Sequence, residues 1–414
     1  MLKVSFYELL PEQKIIEEKI IDIIRYSYKQ VYTSIETPAI EKNSVLTAKE
    51  ESLKQIFLYG LAQCDKDIKD YSLHFDLTIP FARYVIDYKD KLTFPFKRNQ
   101  IQKVRRERPQ KGRFRELYQA DIDVIWDETN SDNYIFYDAE VIFTIANTLE
   151  NIFKEFNLKD NFFININHKK LISFLKELEE ENITEKVTTL IDKKDKISKQ
   201  NFLQELEKIG IDKIKQEKII EFTNIQTSNI KDIEKLNIKN NEWNSIEQVK
   251  YILDILENLI KEKVKINLSI MRGLDYYTMV FETFIEQKES LGSIASRYEN
   301  FTNFIDKKTN CSVGSIGISR LEDYIFENIQ TNKKTSSEYL LINFKETEKN
   351  ILTLYKKLFN LLNIEYYPYA DKISKQLKYA DKKNIKYCII LEKELTNRKY
   401  QIKNMQTEIL YENL

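Results

Sequence analysis

The chain has 414 residues, with 65 Lys+Arg against 65 Asp+Glu and a formal net charge of zero at pH 7, so a polynucleotide partner would have to be met by a local basic patch and not by the overall field. That length predicts two or three domains with ample chain for a buried core. Two histidines and three widely spaced cysteines leave little material for histidine-based general-base chemistry, a zinc cluster or a disulfide framework, and no run of about eighteen apolar residues marks a signal core or a membrane span. The expectation is a cytoplasmic protein with no resident metal, in which His74 and His168 are structural.

Pro11 sits at a good helix start, and Ile15, Ile16, Ile20, Ile23, Ile24 and Val31 recur at helical spacing, so residues 12–31 are expected to form an amphipathic helix. Residues 32–39, YTSIETPA, alternate β-branched side chains until Pro38 interrupts, which suits an edge strand. Residues 72–85, SLHFDLTIPFARYV, begin extended and read as helix from Phe81. In a strand, Asp76 and Thr78 would share one face and could bind an ammonium group. Ahead of a helix, the same two residues are ordinary caps.

Residues 97–115, KRNQIQKVRRERPQKGRFR, carry nine basic residues and one acid, Glu107. Pro109 and Gly112 mark a turn between two extended runs, so this is expected to be a β-hairpin with an arginine-rich connection. On its second strand Arg115, Gln119, Asp121 and Asp123 fall on one face and Tyr118, Ala120, Ile122 and Val124 on the other. Such a basic run is either a solvated face or a phosphate clamp, because guanidinium forks hold phosphate oxygens in pairs. With no Walker loop and no GxGxxG, a nucleotide site here would be built from arginines.

A long helix is expected from Tyr134 to about Phe156, a strand over 161–167, and a Lys/Glu/Ile-rich helical insertion over 169–249, followed by a helix over 245–263. Residues 271–282, MRGLDYYTMVFE, place a glycine directly after Arg272. In a chain with seven glycines this suggests a turn that lets the guanidinium reach an anion, or else a loop entering a core strand. The segment VGSIGISR, 313–320, has two glycines three apart, which suggests a strand packed close to its neighbour and delivering Arg320. After a polar linker at 330–337, residues 338–414 alternate strand, helix, strand, helix, strand before two short strands, a compact α/β pattern.

Taken together, these segments resemble the histidyl-tRNA synthetases of the class II aminoacyl-tRNA synthetase superfamily. Pro38 after its helix and strand looks like motif 1, VRRE with RPQKGRFR like motif 2, and VGSIGISR like motif 3. DLTIPFARYV and RGLDYYT resemble the histidine-binding motifs of this one synthetase, and KQLKYADKKNIKYCIIL resembles its anticodon-binding domain. The resemblance implies an α+β fold: an antiparallel-sheet catalytic domain in two parts (1–168 and 250–330), the helical insertion (169–249) and a C-terminal α/β anticodon-binding domain (338–414). It implies ATP as substrate with Mg2+ on its phosphates, L-histidine and tRNA(His) as partners, and a homodimer.

Carried over by position, Arg105 would bind the ATP α-phosphate, Glu107 the adenine edge, Arg113 and Arg320 the outer phosphates, and Arg272 would be the catalytic cation. Asp76, Thr78, Gln119, Asp123, Tyr276, Tyr277 and Tyr298 would surround histidine, and Arg108, Gln110 and Lys111 would meet the tRNA. This chain departs from the family pattern at Ile294, Ala295 and Ser296, where two glycines are usual, at Ser319, where an acid is usual, and in the strand after Tyr277, which reads one residue short. The second reading is the synthetase-like regulatory subunit of ATP phosphoribosyltransferase, which lacks the anticodon-binding domain. A third, an RNA-binding protein without chemistry, leaves Asp76, Gln119 and Asp123 unexplained.

Overall fold

The computed structural model describes residues 8–47, 61–63, 66–68, 70–106, 114–127, 134–168, 171, 181–191, 194, 197–234, 243–260, 263–271, 277–285, 290–298, 309–329, 332–345, 351–391 and 400–412. The chain divides into two compact units, one of Ile20–Ile325 and one of Phe326–Leu414 with Glu8–Lys19.

In the first unit, the part of helix α1 (Pro11–Tyr28) from Ile20 onward buries Ile20, Ile24 and Tyr28, one apolar residue per turn. The chain then forms β1 (Thr33–Ser34), β2 (Ile40–Lys42), α2 (Asn43–Leu46), β3 (Leu61–Gln63), β4 (Lys66–Ile68), β5 (Tyr71–Leu73) and α3 (Thr78–Tyr88). There follow β6 (Phe96–Arg105), β7 (Glu116–Asp127), α4 (Tyr134–Glu155) and β8 (Phe162–His168). Next come α5 (Glu181–Ile191), α6 (Lys199–Ile209), α7 (Lys213–Thr223), β9 (Gln226–Thr227), α8 (Ile230–Glu234) and α9 (Trp243–Glu257). The unit closes with β10 (Val264–Asn267), β11 (Tyr277–Ile285), β12 (Ser290–Tyr298), β13 (Thr309–Gly317) and α10 (Ile318–Asn328).

Nine of these strands make one sheet in the order β1-β6-β7-β13-β12-β11-β8-β10-β9. The six central strands, β6 to β8, pair antiparallel, and the outer β1 and β10 join in parallel. Helix α4 lies on one face of β13, where Gly314 is required: a Cβ there would stand 2.6 Å from Val141 Cγ1. The expected close packing of the VGSIGISR strand is thus a strand-to-helix contact.

Two expectations need correction. The edge strand is only Thr33–Ser34, and the chain then leaves the large sheet to pair β2 with β5. Helix α3 starts at Thr78 and not at Phe81. Pro80 falls in the first turn, where backbone N–H groups have no intrahelical partner, so proline costs nothing there.

The inserted helices are punctuated by local signals. Ser198 Oγ caps α6 through Asn201 N (3.2 Å), Gly210 ends it at φ +99°, and Asp212 caps α7 through Lys215 N (2.9 Å). Strand β9 then pairs Thr227 with Ile266 and so ties this segment into the sheet.

In the second unit, β14 (Tyr339–Leu341), α11 (Ile351–Phe359), β15 (Ile364–Tyr366), α12 (Ile373–Lys383), β16 (Tyr387–Leu391), β17 (Tyr400–Asn404) and β18 (Leu410–Glu412) alternate as expected. The sheet order is β15-β14-β16-β17-β18, parallel through the helical crossovers and antiparallel thereafter. Gln376 on α12 fixes the end of β14, bonding Asn343 N at 2.9 Å and Asn343 O at 2.6 Å. No helix among the described residues is long and apolar enough to cross a membrane.

Candidate active site

The β6–β7 hairpin holds a continuous register, from Phe96 opposite Ile125 to Arg105 opposite Glu116. Side chains alternate, so each face of the hairpin carries a defined set of cross-strand pairs. One face pairs Arg98 with Asp123, Gln100 with Asp121 and Gln102 with Gln119, and β13 extends these three rows with Val313 beside Asp123, Ser315 beside Asp121 and Gly317 beside Gln119. The other face, with Ala120, Ile122 and Val124, meets α4 and α1: Lys97 Nζ bonds Glu140 Oε2 at 2.5 Å and Tyr28 OH donates to Ala120 O at 3.3 Å. The predicted split of β7 into a polar and an apolar face is present.

Segment 74–77 and α3 cross the polar face. Arg98 NH2 donates to Leu77 O at 3.3 Å, Arg106 Nε to Phe75 O at 3.1 Å, and the Phe81 ring lies 4.2 Å from the Arg98 guanidinium carbon. Asp76 Oδ1 accepts from Ile79 N at 3.2 Å, at the start of α3. Thr78 is the first residue of α3 and, like Asp76, half-buried. Below them, Gln100 Nε2 bonds Thr37 Oγ1 (2.9 Å) and Gln102 Nε2 bonds Thr37 O (3.0 Å).

Two acids stand behind this surface. Asp123 is wholly buried, with Oδ2 2.6 Å from Arg98 Nε and Cys311 Sγ 3.8 Å from Oδ1. Asp121 is 3% exposed and its Oδ1 accepts from Ser315 Oγ at 2.5 Å. Burial pushes Asp121 up to about 6 and Asp123 up to about 7, with the Arg98 charge pulling both back down. Asp76 raises both further, and Arg106 lowers Asp121, which places those two charges at the same site.

The basic run is less free than its composition suggests. Lys97 pairs with Glu140, Arg98 with Asp123, and Lys103 and Arg105 both with Glu116, at 2.7 and 2.9 Å. The acids that neutralise it lie outside the run, on β7 and α4. Arg105 lies on the face opposite Asp121 and Asp123, with Nε on Glu116 and NH1 on Lys103 O. Its neighbour Arg106, paired to Arg115 through N–H to O at 2.7 Å, is the arginine that reaches the polar face.

Tyr277 and Tyr298 are directly paired, and Tyr298 is paired with Cys311, so register brings both tyrosine positions into one row with Ile125. Tyr277 packs against the cluster of Phe81, Val85, Ile125, Cys311 and Val313. The strand that reads short is not short against its neighbour: between Tyr277 and Met279, β11 advances two residues while β12 advances one, a bulge at Thr278. Beyond β13, Arg320 lies in the first turn of α10, and Ser319 Oγ, where the family pattern has an acid, accepts from Tyr118 N at 3.0 Å. Glu107, Arg108, Gln110, Lys111, Arg113, Arg272 and Tyr276 lie outside the described residues, as does the Tyr298 side chain.

Both histidines are hydrogen-bonded within the fold. His74 Nε2 is 2.8 Å from Lys103 O, with burial lowering its pKa, and His168 Nε2 is 3.3 Å from Gln248 Oε1. Sequence reasoning had counted Arg98 only as part of the basic patch and had not singled out Gln100, Asp121 or Ser315 as site residues. The signal for Arg98 was its place at even spacing from Gln100 and Gln102 on a strand.

The family model described as histidyl-tRNA synthetase matches residues 5–321. A Finegoldia magna histidine–tRNA ligase is 39% identical over 96% of this chain and 94% of its own. The Clostridium tetani histidine–tRNA ligase is 37% identical over 97% and 93%. Among solved structures, histidyl-tRNA synthetase from Nostoc sp. PCC 7120 aligns with a TM-score of 0.85 at 30% identity, over 100% of this chain and 96% of that one. A Bacillus halodurans C structure described as an ATP phosphoribosyltransferase regulatory subunit/histidyl-tRNA synthetase shares the fold, with a TM-score of 0.72 at 18% identity over 91% and 96%.

Proposed function

The chain belongs to the histidyl-tRNA synthetase family, and we propose that it acts as a histidine–tRNA ligase by forming histidyl-adenylate from histidine and ATP and passing the histidyl group to the 3′-terminal ribose of tRNA(His). In the first step a histidine carboxylate oxygen attacks the α-phosphorus, the bond to the β-phosphate bridge breaks, and pyrophosphate leaves. No side-chain base is required, so catalysis is positioning and electrostatic stabilisation of charge at the α-phosphate.

The observation that carries this reading is the polar sheet face under Asp76, backed by near full-length similarity to histidine–tRNA ligases. Asp76, Thr78, Gln119, Asp123, Tyr276, Tyr277 and Tyr298 would surround histidine. Arg105, the first arginine of VRRE after Val104, would bind the α-phosphate, and Arg106 beside it bonds Phe75 O. Glu107 would meet the adenine edge, Arg113 and Arg320 the outer phosphates, and Arg272 would bridge ATP and histidine. Mg2+ would arrive with the triphosphate as part of the substrate. Arg108, Gln110 and Lys111 would meet the acceptor end of the tRNA, the inserted helices its acceptor arm, and residues from about 338 its anticodon. The working form would be a cytoplasmic homodimer.

The test is amino-acid-dependent ATP–pyrophosphate exchange across a panel of amino acids. Exchange with histidine alone is expected, whereas exchange with none would favour the regulatory-subunit reading. Aminoacylation of tRNA(His) then separates a ligase from an enzyme that stops at the adenylate.

A further inference from the structure

Strand β1 pairs with β6 at Arg98 and Asn99, and near the far end of β6 its place is taken by His74. In a parallel bridge a residue donates its N–H to the carbonyl before the residue opposite and accepts from the N–H after it. His74 makes the second bond with its backbone, accepting from Arg105 N at 3.0 Å, but its own N–H is committed to Ala39 O at 3.0 Å. The first bond is made by the side chain, whose Nε2 donates to Lys103 O at 2.8 Å. An imidazole stands where a backbone N–H would be. His74, which is wholly buried, thereby joins the chain leaving Pro38, the end of β6 and the segment that leads to Asp76.

The same carbonyl orients Arg105. Lys103 O also accepts from Arg105 NH1 at 3.2 Å, and Arg105 Nε donates to Glu116 Oε2 at 2.9 Å, so two guanidinium nitrogens are held and the plane of the group is set. A carbonyl only accepts, so the proton of the ring sits on Nε2 and Nδ1 is bare. Nδ1 is buried with no hydrogen-bond partner among the described residues, and a second proton there would be a donor without an acceptor. Burial lowers the pKa of His74, and the Arg105 charge lowers it further, so the ring stays neutral.

We propose that His74 is a positioning residue for adenylate formation: its ring N–H fixes Lys103 O, and through that shared carbonyl it sets the Arg105 guanidinium for the α-phosphate, in register with the segment that carries Asp76. This rests on the assignment of Arg105 within the ligase reading. The ring does not touch either substrate. Its effect is on geometry at the reacting phosphate, where a small misplacement of a charged group slows the reaction more than it weakens binding.

The experiment uses the full-length protein in histidine-dependent ATP–pyrophosphate exchange, with kcat and KM measured for both substrates and circular dichroism establishing that each variant is folded. His74→Leu removes the donor, and His74→Asn keeps an amide too short to reach Lys103 O. Each should lower kcat by about tenfold or more, with KM for histidine and for ATP within about threefold. His74→Gln, whose Nε2 can replace the ring N–H, should return kcat to within about threefold of wild type. Because His74 acts through Arg105, adding His74→Leu to Arg105→Ala should slow exchange by less than about twofold more. The Gln and Asn variants suffice for the comparison where the leucine variant does not fold. The proposal falls if folded His74→Leu or His74→Asn keeps the wild-type kcat, if folded His74→Gln is as slow as His74→Asn, or if the loss multiplies in full onto Arg105→Ala. A wild type without histidine-dependent exchange would remove the ligase reading and this proposal with it, whereas an active wild type with variants outside the expected pattern overturns the role of His74 alone.

Discussion

Arg98 Nε lies 2.6 Å from Asp123 Oδ2, directly across the β6–β7 hairpin, and neither side chain has any solvent exposure. A buried pair of this kind stabilises little relative to an apolar pair, but breaking it leaves one charge stranded. Asp123→Asn and Arg98→Met are each expected to cost about 3–5 kcal/mol in chemical denaturation, while Arg98→Met with Asp123→Leu costs far less than their sum. Additive losses would show that the two side chains do not act as a pair.

Gly314 offers a steric test. An alanine Cβ would lie 2.6 Å from Val141 Cγ1 and 3.2 Å from both Ile122 and Ile145 Cγ1, in the packed layer between β13 and α4. Gly314→Ala should lower stability by about 1–3 kcal/mol, and Val141→Ala in the same chain should recover part of that loss. Gly317→Ala, whose Cβ would meet Leu291 O at 3.3 Å and Arg320 Cδ at 4.0 Å, should cost less. Equal costs at the two glycines would mean that the helix shifts freely on the sheet.

How much of this was legible beforehand follows from the range of each interaction. The two faces of β7 could be read because strand periodicity is local, and the C-terminal unit because its alternation of strand and helix is regular. The start of α3 was misread because Pro80 looks like a boundary, although proline is at home in a first helical turn. The partners of the basic run were hidden: Glu140 is 43 residues from Lys97 and Asp123 belongs to another strand, so composition within 97–115 could not show that four of its charges are paired. That Arg105 pairs with Glu116 across the hairpin depends on cross-strand register rather than on spacing along one strand.

The raised pKa values of Asp121 and Asp123 make stability pH-dependent with a definite sign. A carboxylate that is harder to ionise when folded contributes most below its unfolded value of about 3.9, and the contribution is lost as pH rises through about 6 for Asp121 and about 7 for Asp123. Asp121→Asn, which cannot ionise, should therefore gain on wild type as pH rises from 4 to 8, by about 3 kcal/mol at the upper end. Parallel pH profiles for the two proteins would show that Asp121 titrates normally.

The last prediction separates two adjacent arginines. Arg105 and Arg106 are chemically identical, but β6 sends them to opposite faces: Arg105 Nε donates to Glu116 at 2.9 Å, while Arg106 Nε donates to Phe75 O at 3.1 Å beside Asp76 and Asp121. A group that stabilises charge developing on the α-phosphate lowers the barrier more than it favours substrate binding. Arg105, assigned to the α-phosphate by its place in VRRE, should on replacement by alanine reduce the rate of histidine-dependent exchange by about a hundredfold or more, with KM for histidine little changed. Arg106→Ala removes the hydrogen bond to Phe75 O and should cost about 1 kcal/mol of stability, with exchange largely retained. If Arg106→Ala abolished exchange and Arg105→Ala did not, the α-phosphate arginine would be the one bonded to Phe75 O and the assignment of Arg105 would be reversed.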